Sequence, residues 1–104
     1  MIFSIDRASL NAYPKTSIGV LVATFDNSQI VPLVEELKQQ LATLAVKQGI
    51  TKDHANIAAW QATYKSFGVN PKEYRSSVEA LVRRVLDNKG MWQISPVVDL
   101  YNCF

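Results

Sequence analysis

Apolar and polar residues alternate over residues 2–6, IFSID, and residues 17–25, SIGVLVATF, form a run rich in β-branched side chains. Both patterns predict strands. A polar, proline-containing connection, LNAYPKT, joins them. Helix-start chemistry follows in Asp26-Asn27-Ser28, before Leu33, Leu37, Leu41 and Leu44 recur three or four residues apart. Pro32 suits only the first turn of such a helix, which sets its start near Ser28 or Gln29, and Gly49 stops it.

Over residues 51–68 the helical period returns, placing His54, Ile57, Trp60, Tyr64 and Phe67 on one face, with Gly68 as the stop. That spacing predicts core packing for the three aromatic residues. Residues 69–75, VNPKEYR, read as an extended or turn segment, because proline disfavours helix in the residue before it. Ser76 and Glu79 then form a capping box, in which the serine oxygen takes one free amide and the glutamate reaches back to another. Val78, Leu81, Val82, Val85 and Leu86 make the buried stripe of this third helix, and Asn88-Lys89-Gly90 ends it. After an irregular or strand-like MWQI, the Ser95-Pro96 pair opens a short fourth helix through VVDLYN. The expected fold class is therefore α+β: a helix-rich half-domain of about four helices, with a small antiparallel sheet from the N-terminal strands.

With 104 residues the chain makes one domain, spanning 1–104. A hydrophobic fraction of 48% with 19% charged residues belongs to a folded chain and is too apolar for disorder. The single cysteine, Cys103, excludes an internal disulfide. Asp6 and Arg7 interrupt the N-terminal apolar stretch a signal peptide needs, and no window offers the roughly 20 apolar residues of a membrane span. A cytoplasmic location without membrane partners is expected.

Candidate chemistry is sparse. One histidine and one cysteine do not make a metal site, and the four glycines are isolated, so no metal, nucleotide or other cofactor is expected. His54 reads as a helix-face residue and Cys103 as a small apolar one. Charge is more informative in its distribution than in its total. The formal net charge is only +2, yet residues 65–90 hold six basic side chains against three acidic ones, a local excess of +3. Glu79 and Arg83 are spaced for an i,i+4 ion pair while Arg84 points elsewhere. Two readings of this basic segment stand open: a solvated face, or one that contacts phosphate through Lys72, Arg75, Arg83 and Arg84, with Arg75 and Arg84 foremost.

Residues 60–86, WQATYKSFGVNPKEYRSSVEALVRRVL, followed by ISPVVDLYN, resemble the tRNA-editing domain of the phenylalanyl-tRNA synthetase beta chain, its third and fourth modules, and especially the freestanding proteins built from that domain alone. The likeness covers about residues 54–102. It rests on a tryptophan and tyrosine four apart, a Phe-Gly stop, an Asn-Pro turn, the SSVEALVRRV helix and the VVDLYN segment. In the synthetase that domain hydrolyses tyrosine wrongly attached to the phenylalanine tRNA, so the resemblance implies an aminoacyl-tRNA editing-type domain with tRNA as partner. Asp99, Tyr101 and Asn102 match pocket-lining positions, with Tyr101 standing where the synthetases usually have threonine, and no residue is assigned a catalytic role. Family members continue into a strand-rich half and are about twice as long, which implies that the N-terminal portion alone is present. The chain is then expected to self-associate through the edge the other half would cover, or to meet that half in a second polypeptide. The alternatives are a noncatalytic module that binds tRNA or an amino acid, and a structural or interaction protein.

Overall fold

Five helices and no strand make up the computed structural model, which describes all 104 residues. Helix α1 spans Arg7–Ala12, α2 Asn27–Lys47, α3 Ala55–Ser66, α4 Ser77–Leu86 and α5 Pro96–Asn102. The small antiparallel sheet expected from the sequence is absent, and the fold is all-helical. A strand persists only where a neighbour takes its amides and carbonyls. Here neither residues 1–5 nor residues 17–25 make a backbone hydrogen bond to any other segment. The β-branched run is extended but unpaired, and Leu21 in its middle is 88% exposed.

Each helix begins where a short polar side chain takes its first free amides. Asp6, read from the sequence as the end of a strand, accepts from the backbone N–H groups of Ala8 and Ser9 at 3.1 and 2.9 Å and so starts α1, which runs into the first residues of the expected connection. Asp26 accepts from Ser28 N–H at 2.9 Å and starts α2. Pro32 consequently lies in the second turn of α2 and not the first, where its missing N–H leaves the Ser28 carbonyl without its helical donor. His54 is the cap of α3, its Nδ1 accepting from Asn56 N–H at 3.2 Å, and does not sit on the helix face. Ser76 and Ser95 cap α4 and α5 as their sequences foretold, and Pro96 occupies the first turn of α5. Glycines in the left-handed region stop α2 and α3, with φ of 67° at Gly49 and 82° at Gly68, and Asn88, with φ of 53°, follows α4.

Helix α2, about 31 Å long at 1.5 Å per residue, is the spine against which α5 and α4 pack. Its buried residues are Ile30 and Val34; Leu33, one position out of phase, is half exposed. With Ile57 of α3 these complete the fully buried apolar core, to which Pro71 adds one more covered residue. The stripe of α4 is only partly covered, and its one buried residue is Glu79. No helix is long and apolar enough to cross a membrane.

Candidate functional site

The buried positions of the 54–102 segment are largely polar. Ser76, Glu79 and Asp99 are all buried, and the two carboxylates organise the helices around them. Because Ser76 fixes the first turn of α4, Glu79 is turned inward toward α3. Its Oε2 accepts from Nε2 of Gln61 at 3.1 Å and its Oε1 from Nε of Arg83 at 2.9 Å. Arg75 approaches the same Oε1 at 3.9 Å. The reciprocal half of the expected capping box is therefore missing: the carboxylate joins α3 to α4 in place of reaching back to the Ser76 amide. Burial presses the Glu79 carboxyl toward the neutral form, but the hydrogen bonds from Gln61 and Arg83 and the charges of Arg83 and Arg75 outweigh it and leave the pKa lowered.

Asp99 performs the matching task between α5 and α2. Its Oδ1 accepts from the Ile94 backbone N–H at 2.9 Å and its Oδ2 from Nζ of Lys38 at 2.9 Å. Lys38 also donates to the Trp92 carbonyl at 3.4 Å. The Ile94 amide, then Lys38, hold the Asp99 carboxyl below its ordinary range. A small cavity of about 110 Å³ lies beside it, lined by Val31, Val34, Glu35, Gln93, Ile94 and others. Both oxygens of Asp99 already have partners, so the side chain is built into the α2–α5 junction as a charged joint.

The candidate pocket residues of α5 do not converge. Two positions along a helix are about 200° apart, and Tyr101 accordingly lies outside, 78% exposed, while Asp99 is inside. Asn102, three residues on, shares the Asp99 side and is half-buried. Cys103 follows it, half-buried, with burial pushing its thiol pKa up, so it is protonated at neutral pH.

The four basic candidates separate into two kinds. Arg83 is held by Glu79. Arg84 turns to the end of its own helix, where Nε donates to the Gly90 carbonyl at 3.0 Å and Nη2 to the Lys89 carbonyl at 3.1 Å. Its guanidinium lies 4.4 Å from the Trp92 ring centroid, a cation–π contact. Both arginines are thus joints of the fold. Arg75 is 54% exposed and has only the long approach to Glu79, and Lys72, exposed in the turn before α4, forms no ion pair. These two cations are open to solvent at the N-terminal side of α4. Lys52 and Asp87 form a separate surface pair at 2.6 Å.

Sequence reasoning missed one further feature. Trp60 and Phe67, expected in the core, are half exposed. With Ala12, Tyr13, Lys15 and Asn56 they line an open groove of about 840 Å³ between the α1 end and α3. Tyr64 ties the two together from behind, its ring centroid 6.3 Å from that of Trp60 and 5.5 Å from that of Phe67. Their spacing of seven identifies a common face, but not whether another element covers it. Compared with protein-family models, curated proteins and solved structures, the chain finds no match.

Proposed function

We propose that the chain is the helical portion of an aminoacyl-tRNA editing-type domain, and that its own contribution is to hold RNA by the phosphate backbone. The observation that carries this reading is the division of the basic residues. Arg83 and Arg84 are bound into the fold, whereas Lys72 and Arg75 stand open in the segment that leads into α4. Two solvated cations three residues apart can act together on one stretch of phosphate backbone, and arginine offers the bidentate fork that suits it. The resemblance over residues 54–102 supplies the class of RNA. A cytoplasmic location goes with it.

Ester hydrolysis would need a positioned water, an oxyanion donor and a closed pocket. Asp99 is committed to Lys38 and the Ile94 amide, and Tyr101 faces solvent, so the residues that match the family's pocket form no such constellation within one copy. Hydrolysis therefore belongs to an assembly with further chain, and binding to this part.

The test combines two measurements on the whole chain. Single-turnover deacylation of tyrosyl- and phenylalanyl-tRNA should proceed at the rate of the RNA alone. Binding of the same tRNAs should weaken as salt rises, and Lys72→Gln/Arg75→Gln should reduce the log–log salt slope by about 2. An unchanged affinity and slope in that variant would remove the phosphate-binding reading; selective release of tyrosine would overturn the noncatalytic one.

A further inference from the structure

Residues 17–25, SIGVLVATF, are the largest unexplained feature of the surface. All nine are exposed, none is ionisable, and none of their backbone groups bonds to another segment. Ile18, Val20 and Val22 alternate with Leu21, Ala23 and Phe25, so an extended conformation shows apolar side chains on both faces. Such a run is a template for a β-strand. The area left open is also large. The chain exposes 8280 Å², whereas a compact 11.6 kDa monomer exposes about 5,800 Å². The excess, about 2,400 Å² on each copy, is enough to supply the roughly 1,000–2,500 Å² per partner that an obligate dimer buries.

The charges that flank the run say what fits it. Lys15 stands before it and Asp26 after it, with no ionisable side chain between them. Two copies laid antiparallel bring the Lys15 end of each beside the Asp26 end of the other. Parallel pairing would bring like charges together, which is unfavourable. The run is thus complementary to itself in one orientation. We infer that residues 17–25 pair antiparallel with the same segment of a second copy of this chain, centred near Leu21, forming an intermolecular β-ribbon. A bare two-stranded ribbon is marginal in water. Val31, exposed near the start of α2, follows the run closely and offers apolar cover for one face. This pairing does not depend on RNA binding.

Sedimentation equilibrium of the full chain across a micromolar dilution series reads the assembly, with far-UV circular dichroism recording the helices. The wild-type chain should be a concentration-dependent dimer. Val20→Pro and Leu21→Pro, made separately, remove amides that point to opposite edges of the strand and are unbonded in the single copy, so helicity should be kept in both while dimer affinity falls on the order of tenfold or more in the one whose amide faces the partner. Lys15→Glu should weaken the dimer at low salt and less so at high salt. Spin labels in a Cys103→Ser background fix the orientation. A label at Leu21→Cys should give a short distance between copies, and one at Phe25→Cys a separation of about 27 Å along the ribbon, eight residues at roughly 3.4 Å each. A monomer throughout the series overturns the inference. So does a dimer indifferent to both proline variants, or short distances at both labelled sites.

Discussion

Glu79 and Asp99 are the side chains on which the helices are assembled, and both have pKa values below the ordinary carboxylate range. The folded state therefore holds fewer protons than the unfolded one near pH 4, and stability rises with pH there. Their contribution is complete above the unfolded carboxylate values of about 4 and is lost as pH falls through the lower folded values. Acid titration followed by circular dichroism should show unfolding below about pH 4, with a weaker pH dependence in Glu79→Gln. Glu79→Ala should destabilise the chain by about 3 kcal/mol, read from denaturant unfolding, because Arg83 and Gln61 lose the group they face. Arg84→Ala, which releases the Lys89 and Gly90 carbonyls and uncovers Trp92, should shift the indole emission to the red. At this scale the sequence was partly legible. Ser76 with Glu79 and Glu79 with Arg83 are neighbours on one helix, so spacing alone exposes them. The burial of Glu79 was not, since it depends on Gln61 from another helix, and Asp99 depends on Lys38, 61 residues away.

Helices α2 to α5 follow from their apolar period, from the caps of α2, α4 and α5, from the glycines that end α2 and α3 and from the Asn88-Lys89-Gly90 stop of α4, while the capping role of His54 in α3 was not legible. The failures share one cause, which is that local pattern does not reveal neighbours. IFSID and SIGVLVATF have strand composition, yet β-propensity describes fit to a pleated, half-buried surface, and no such surface meets them within one copy. Helix α1 was passed over although Asp6 precedes Ser9 by three, the spacing of a cap; its six residues carry too little apolar periodicity to announce a helix. Trp60 and Phe67 show the converse, a clear helical face with nothing over it. Pro32 is the element-scale oddity. An interior proline disfavours a helix by about 3 kcal/mol relative to alanine, offset in part by its stiffening of the unfolded chain. Pro32→Ala should accordingly stabilise the chain by about 2 kcal/mol in urea unfolding, and a null result would mean that α2 bends at this point to relieve the missing bond.

As a whole the molecule is spread out. Its radius of gyration is 16.2 Å, against about 13 Å for a compact domain of this length, and its extents are 43 × 37 × 22 Å. Polar joints, Lys38 to Asp99 and Gln61 to Glu79, hold together helices that share very little buried apolar surface. Heat-capacity change scales with apolar surface exposed on unfolding. Calorimetry of a dilute sample should therefore give less than the usual ~1.2–1.5 kcal/mol/K per 100 residues, rising toward that range as copies associate; the full value at high dilution would show a core larger than the one described. The Lys38–Asp99 joint has a consequence in time as well. Synthesis at about 5–20 residues per second separates the two side chains by about 3–12 s, and until the aspartate emerges the long helix of a nascent chain has no anchor for α5. For that interval the side of α2 that packs on α5 stays uncovered and available to chaperones.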